Sequence, residues 1–210
     1  MQRTWIVAGD GVGLTAPERE EFVARWDVYN DAGMAMLFGY PTSGTPDGVL
    51  LRPPVLREHR EAVWETLVAR SLLAFDVRAT DDGRLLGEGS LSRITWPRAS
   101  AEIALAIFDP EDRGRGLGTE AVTLMAAYAF DGLGLHRVAM RYLAMNEAVA
   151  RAIERAAGSL GGRVVGVERE AEWAFGGWQD AVLVECLSTD FPPHPATAAL
   201  RAAPGRVEVG

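Results

Sequence analysis

The stretch DRGRGLGTEAV, residues 112–122, decides the fold and gives the first hypothesis about function. Glycines alternate with larger residues, two arginines lie among them, and an apolar helical pattern follows at once. An apolar segment, Ala101–Phe108, precedes it and is typical of a strand. A strand, a glycine-rich turn and a helix start together form an anion site, because free backbone N–H groups and the helix dipole both favour negative charge. The stretch therefore predicts a loop that holds a phosphate.

Length and composition exclude several classes of protein. The 210 residues predict one domain, long enough to bury about 70% of its unfolded surface. The net charge of -8 gives no overall basic field for nucleic acid, and no apolar run approaches the roughly 20 residues of a membrane span. A single cysteine and the lack of a signal-peptide pattern at the N-terminus predict a cytoplasmic protein without an internal disulfide.

The chain reads as a mixture of helices and strands, with no internal repeat. Helices are predicted over Ala16–Tyr29, Arg57–Ala69 and Thr119–Leu133 and after Asn146, and strands over Leu72–Thr80, Leu85–Thr95, Ala101–Phe108, His136–Met145, Arg163–Trp173 and Gln179–Ser188. Residues 1–56 otherwise read as irregular, with a turn-rich loop at Gly39–Pro54. Residues 1–190 are predicted to form one domain, followed by a loose Pro- and Ala-rich tail over 191–210. This is an α/β or α+β fold whose sheet is antiparallel first and parallel around the glycine loop.

Three kinds of phosphate-binding loop compete for the glycine-rich stretch. A P-loop needs Lys-Ser/Thr after its last glycine, and Gly118 is followed by Thr119 and Glu120. A dinucleotide fingerprint can be forced on Gly116-x-Gly118, but residues 109–115 separate it from the strand that it should follow directly. The spacing Arg113-x-x-Gly116-x-Gly118 after an apolar strand instead fits a loop for the pyrophosphate of an acyl-CoA. A tight structural turn is the alternative without a ligand.

The segment Ala101–Val138 resembles the GNAT superfamily of N-acetyltransferases, in the branch of ribosomal-protein N-terminal and small-amine acetyltransferases. The resemblance continues in Asn146-Glu147-Ala148 and in Gly166-x-x-Arg169-Glu170-Ala171 followed by Gly177-Trp178-Gln179-Asp180, and it covers about residues 70–180. It implies a mixed, mostly antiparallel sheet of about six to seven strands with about four flanking helices. It also implies acetyl-CoA as the acyl donor, without a metal. The donor would be bound by Ile107, Phe108, Arg113, Gly114, Arg115, Gly116, Gly118, Thr119 and Asn146.

Acetyl transfer to an amine needs a group that accepts the amine proton, a donor to the oxyanion and a proton for the leaving thiolate. The candidate bases are Glu102, at the start of the strand that leads to the loop, and Glu172, in the penultimate predicted strand. The alternative for each is a solvated strand residue, and it is favoured more for Glu172 than for Glu102. Glu120 is interpreted as a carboxylate that stabilises the helix dipole, and Cys186 as a buried thiol rather than a nucleophile.

The sequence departs from the family where the leaving thiolate would be protonated. Many relatives place a tyrosine at the position of Ile153, and some place a serine at that of Val149. Tyr142, Tyr40 and Ser90 are possible substitutes. The sequence therefore leaves two hypotheses: an N-acyltransferase that acts by direct attack, or a catalytically silent acyl-CoA-binding module.

The acceptor is not determined by the sequence. The chain diverges most over residues 1–56, and both a small cationic amine and a protein N-terminus stay open as acceptors. The acidic composition favours the cationic molecule slightly. Neither nucleic acid nor membrane is expected as a partner, and the protein is expected to be a monomer or a homodimer.

Overall fold

A single mixed sheet carries the fold in the computed structural model, which describes residues 4–31, 34, 55–68, 72–174 and 177–202. Its strands are β1 (Trp5–Ala8), β2 (Val12–Thr15), β3 (Leu73–Ala79), β4 (Leu85–Thr95), β5 (Ser100–Ile107), β6 (Arg137–Leu143), β7 (Arg163–Ala174) and β8 (Gly177–Leu187). The helices are α1 (Arg19–Ala24), α2 (Arg57–Val68), α3 (Leu117–Ala127), α4 (Glu147–Leu160) and α5 (Ala198–Arg201). No helix in these ranges is long and apolar enough to cross a membrane.

The strand order is β1-β2-β3-β4-β5-β6-β8-β7, and β5–β6 is the parallel pair among antiparallel ones. This confirms the predicted sheet, which is antiparallel first and parallel around the glycine loop. The described strands number eight, more than the six to seven that the family resemblance implies. The additional pair is β1–β2, in a segment that was predicted to be irregular. Each of these strands has four residues, too few to show a clear alternation of apolar and polar residues.

The turn between β1 and β2 is attached to the start of α3 by Glu120. Its Oε1 accepts a hydrogen bond from the backbone N–H of Gly11 at 3.0 Å. A side chain at Gly9 would collide with the same carboxylate. Glu120 does lie in the first turn of α3, where its charge suits the helix dipole. Its hydrogen bond to a segment more than one hundred residues away is an additional role that the sequence did not reveal.

The two long central helices lie where the sequence predicts them, with different ends. The helix predicted over Thr119–Leu133 begins at Leu117 as α3 and ends in a turn of π-helix over Tyr128–Gly132. Most of α3 is buried, as its apolar composition predicts. Asn146 caps α4, its side-chain oxygen accepting from the N–H of Val149 at 3.2 Å, which confirms the predicted cap.

A cluster of charged side chains joins α1 and α2 to the sheet. We call it the α1–β3 charge cluster; its members are Arg25, Tyr29, Arg60, Asp76, Arg78 and Glu88. Asp76, fully buried on β3, accepts from Arg25 at 2.7 Å and from Arg78 at 2.8 Å. Arg60 on α2 lies 3.5 Å from the ring centre of Phe22 on α1 and hydrogen bonds its carbonyl. The cluster therefore holds both helices on one face of the sheet.

The C-terminal segment contradicts the prediction of a loose tail as far as residue 202. Phe191 is buried with its ring 5.1 Å from that of Phe130. The buried carboxylate of Asp131 accepts hydrogen bonds from Thr197 and from Arg201 on α5, each at 2.6 Å. The many Pro and Ala residues hid this anchoring, because it rests on a few long-range contacts rather than on a periodic pattern.

Candidate functional site

The parallel strands β5 and β6 separate and open a cleft. They pair only over Ser100–Glu102 and Arg137–Ala139. Beyond this point β5 and β6 line opposite walls of a cavity of about 680 Å³, over Ile103–Ile107 and Met140–Leu143. Backbone groups on facing strand edges that are not paired with each other can bind an extended, amide-containing ligand.

The glycine loop and the first turn of α3 form one end of this cleft. Gly114 and Gly116 have φ of 75° and 88°, in the left-handed region that favours glycine. The first N–H groups of a helix have no intrahelical partners, and Gly116, which precedes α3, provides no side chain to cap them. Gly118 and Thr119 line the cavity, and a Cβ at Gly118 would lie 3.6 Å from the Leu105 side chain on β5. The loop thus presents backbone donors to an anion with little side-chain bulk in between.

The two arginines of the loop differ in their contacts. Arg113 lines the cleft, and its guanidinium donates to the carbonyls of Ile107 at 3.0 Å and Phe108 at 2.7 Å. Ile107 and Phe108 are among the residues that the family resemblance implies for the donor, and their carbonyls accept from the side chain of Arg113 in this structure. Ile107 lines the cavity, whereas Phe108 is not among its lining residues.

Arg115 lies outside the cleft and pairs with Asp112 at 3.1 Å. Asp112 also accepts two hydrogen bonds from Arg84, and these hydrogen bonds hold the pKa of the Asp112 carboxyl below its ordinary value. The same hydrogen bonds raise the pKa of Arg84. Arg115 therefore helps to shape the loop, and its position gives no direct contact with the cavity.

Helix α4 forms the opposite wall, near its capping residue. Asn146, predicted to bind the donor, lines the cavity together with Val149 and Ile153. Arg151 and Arg155 line it as well, and Arg151 also pairs with Glu147, four residues earlier. Helix α4 therefore gives the cleft both apolar and basic lining residues.

The two predicted carboxylates lie in different surroundings. Glu172 on β7 lines the cleft and pairs with Arg141 on β6, which also binds Glu168 at 2.9 Å. Glu102 is not among the lining residues; its side chain is 41% exposed and pairs with Arg93 at 3.1 Å. The structure thus brings Glu172, and not Glu102, to the cavity beside the glycine loop.

Of the two candidate hydroxyls that lie in the described residues, that of Tyr142 lines the cleft. The Tyr142 hydroxyl on β6 donates to Glu154 on α4 at 3.1 Å. Burial, with Glu154 nearby, raises the pKa of Tyr142, so the hydroxyl keeps its proton. Ser90 is not among the lining residues, and Tyr40, like the loop Gly39–Pro54, lies outside the described residues.

Glu88 and Cys186 are two potentially reactive side chains whose partners lie outside the cleft lining. Glu88 belongs to the α1–β3 charge cluster, where it accepts from Tyr29 at 2.7 Å. Cys186 is buried and donates to the carbonyl of Leu160, and burial raises the pKa of its thiol to about 11, which suits the predicted inert residue. Among the described residues no group of three or more His, Cys, Asp and Glu is arranged to hold a metal ion.

Comparison with known proteins gives a family. The family model described as an acetyltransferase (GNAT) domain matches residues 14–158. The probable N-acetyltransferase YjcK of Bacillus subtilis (strain 168) is 30% identical over 116 residues, which are 55% of this chain and 62% of that protein. The match thus spans less than two thirds of that relative.

Solved structures share the fold at low sequence identity. A spermidine N-acetyltransferase from Vibrio cholerae, in complex with CoA and spermine, has a TM-score of 0.71 at 20% identity, over 87% of this chain and 98% of that one. A ribosomal-protein-S5-alanine acetyltransferase from Vibrio fischeri has a TM-score of 0.64 at 19% identity, over 89% and 98% of the two chains. At such identities the likeness shows the fold alone.

Proposed function

Since this chain belongs to the GNAT acetyltransferase family, we propose that it transfers an acetyl group from acetyl-CoA to a primary amine. One observation carries the proposal: the cleft between β5 and β6 is lined by both the first turn of α3 and the Glu172 carboxylate. The first feature suits a pyrophosphate and the second suits an amine, and acetyl transfer needs both in one cavity.

The positions of the basic groups along the cavity suit the charge distribution of acetyl-CoA. The α3 N–H groups, with Arg113, Arg151 and Arg155, would hold the anionic end of acetyl-CoA. The separated edges of β5 and β6 would hold the amide-containing arm. Backbone groups fixed in a sheet are preorganised, so that their hydrogen bonds position the thioester at little cost in entropy.

In the proposed reaction the amine nitrogen attacks the thioester carbonyl directly. A C–N bond forms, the C–S bond breaks, and the thiolate leaves. Glu172 accepts the proton that the amine loses, directly or through water, and Tyr142 donates a proton to the thiolate. Tyr142 replaces in function the tyrosine that relatives carry at the position of Ile153.

A specific observation also favours a second candidate function. Ile153 and Val149 line the cleft where relatives carry hydroxyl side chains, and neither can give a proton. A silent acyl-CoA-binding module would bind the donor in the same cavity without turnover. We rank it second because Glu172 and Tyr142 both lie on the cavity wall.

Calorimetric titration with acetyl-CoA, followed by thiol release over a panel of amines, tests the proposal. The panel should contain polyamines, aminoglycosides and peptides with free N-termini, because the relatives named above include enzymes for spermidine and for a ribosomal protein. Binding with release for one amine class supports the transferase. Binding without release from every class supports the silent module, and failure to bind acetyl-CoA contradicts both.

Replacing Glu172 by glutamine is expected to lower turnover about 100-fold at neutral pH and to leave acetyl-CoA affinity unchanged. Glutamine keeps the shape of the side chain but cannot accept the amine proton. The rate of the variant should rise more steeply with pH than that of the unmodified protein, because solvent then deprotonates the amine. Thiol release measured across pH checks this.

Glu102→Gln is the matched control for that variant, since it makes the same change at a carboxylate outside the cavity lining. Its turnover should stay within a few-fold of the unmodified protein. A larger loss in Glu102→Gln than in Glu172→Gln would assign the proton acceptor to Glu102 instead.

Tyr142→Phe should likewise lower turnover by about 100-fold while the protein still binds acetyl-CoA. The substitution removes the hydroxyl that donates to Glu154 and keeps the ring that packs between β6 and α4. Tyr128→Phe is the control, because that ring packs on Phe75 and does not line the cavity. Equal turnover in the two variants would show that water or another side chain, and not Tyr142, protonates the thiolate.

A further inference from the structure

The outer edge of the sheet at β7 carries exposed apolar side chains. β7 bonds to β8 on one side, and no strand among the described residues pairs with its other side. Val164 and Val167 are 52% and 55% exposed, and Val165 between them is also exposed. Native edges usually avoid such runs, because unpaired N–H and C=O groups beside apolar side chains invite pairing with another strand. At the opposite edge, β1 has only four residues.

A bulge in β7 determines which of its side chains lie on each face of the sheet. Val165 is the additional residue between two regular stretches, so Val164 and Val167 lie on the same face. Arg163 and Glu168 share the other face. The pairs with β8 that show this are Arg163–Glu185, Val164–Val184, Gly166–Leu183, Val167–Val182 and Glu168–Ala181.

The edge is complementary to itself. Suppose that a second β7 runs antiparallel to the first about a two-fold axis between Val165 and Gly166. The numbers of two facing residues then always have the same sum, which fixes every pair across the contact. Arg163 then faces Glu168 of the second copy, and Val164 faces Val167 of the second copy, each contact occurring twice. Opposite charges meet on one face and valines on the other, and both combinations stabilise antiparallel strands.

We infer that this protein forms a homodimer in which two β7 edges pair antiparallel across that axis and continue the sheet through both copies. Bulges often protect an edge from such pairing. Here the bulge has the opposite consequence, because it aligns the two valines on one face and leaves the two charged residues together on the other.

The proposed contact would lie close to the candidate site. Glu168 accepts a hydrogen bond from Arg141, and Arg141 pairs with Glu172 in the cleft. Arg163 of the second copy would therefore place a positive charge beside Glu168, which is connected to Glu172 through Arg141. The inference about the dimer rests on the edge alone, and acetyl transfer could fail without affecting it.

Sedimentation equilibrium over a concentration series tests the dimer. We expect a monomer–dimer equilibrium for the full chain and, for Val167→Lys, dimerisation weakened at least tenfold, or by about 1.4 kcal/mol or more. Trp96→Lys is the control, because it places the same charge on a side chain that is 59% exposed and distant from β7 in the sheet order. Its dimerisation should be unchanged. A monomer at every concentration, or equal dimerisation of Val167→Lys and Trp96→Lys, would overturn the inference.

A charge exchange tests the register. Arg163→Glu and Glu168→Arg should each weaken dimerisation, because each places like charges opposite one another. The double variant should restore most of it, since opposite charges face each other again. Both single changes also remove pairs within one copy, Arg163–Asp190 and Arg141–Glu168, and the double variant restores neither. Recovery in the double variant thus reports the contact between copies, and its absence would rule out this register.

Discussion

Gly118→Asp is expected to weaken acetyl-CoA binding by about 100- to 1,000-fold and to leave the protein folded. A Cβ at this position makes ordinary contacts with Leu105 and Ile107, at 3.6 and 3.7 Å, so the backbone accepts a side chain without strain. The same contacts show that the side chain would point into the cleft. A carboxylate there would oppose the pyrophosphate, and two like charges near a protein surface about 4 Å apart repel by about 4 kcal/mol. Calorimetric titration with acetyl-CoA measures the effect.

Two further glycine variants make this test specific. Gly118→Ala adds a methyl group in ordinary contact and should cost much less affinity than aspartate. Gly158→Asp adds the same charge to a glycine of α4 with open space around it and should bind acetyl-CoA normally. If folded Gly118→Asp binds as tightly as Gly158→Asp, the glycine loop is a structural turn and the pyrophosphate lies elsewhere.

Local sequence predicted the part of the fold in which local patterns are strong. The strand before the glycine loop, the buried helix after it and the Asn146 cap all follow from periodicity and from residue types with fixed preferences. The parallel pair β5–β6 followed from the same strand, loop and helix. The ends of helices were less accurate, since the π-helical turn at Tyr128–Gly132 has no distinct signal.

Long-range contacts were missed for a physical reason. Glu120 binds Gly11, and Arg113 binds the carbonyls of Ile107 and Phe108, because folding brings these groups together. Side-chain type alone does not show which partner a charge will find. Glu102 and Glu172 both stayed candidates in the sequence for this reason, and only the structure separates a carboxylate on the cavity wall from one that pairs with Arg93.

The α1–β3 charge cluster is the clearest case of a feature without a sequence signal. Its members come from the C-cap of α1, the following 3-10 turn, α2, β3 and β4. The spacing of these charges in the chain resembles that of solvated surface residues. Burial makes them costly, so that each charge depends on its partners, and the largest effect on stability is expected at the centre of the cluster.

Asp76→Ala is expected to lower the free energy of unfolding by about 3–5 kcal/mol, because it leaves buried guanidinium groups without their shared carboxylate. Arg25 and Arg78 both donate to Asp76, and Arg25 Nε and Nη1 and Arg78 Nε already lack a hydrogen-bond partner among the described residues. The pairs of Arg25 with Glu88 and of Arg78 with Glu21 remain and place the loss toward the lower end of that range. Urea denaturation followed by circular dichroism measures it.

Two further variants identify what Asp76 contributes. Asp76→Asn separates its charge from its hydrogen bonds, and Glu61→Ala compares the buried carboxylate with an exposed one. Asparagine keeps one acceptor oxygen and loses the charge. Asp76→Asn should therefore lower the free energy of unfolding, but by less than Asp76→Ala. Glu61 pairs with Arg57 on the exposed face of α2, and its removal should change stability by about 0.5 kcal/mol or less. A loss in Asp76→Ala as small as that in Glu61→Ala would mean that water or the remaining carboxylates reach Arg25 and Arg78. The attachment of α1 to the sheet would then rest on burial of its apolar side chains, Phe22 and Val23, and α2 would be held to α1 by the contact of Trp64 with Phe22.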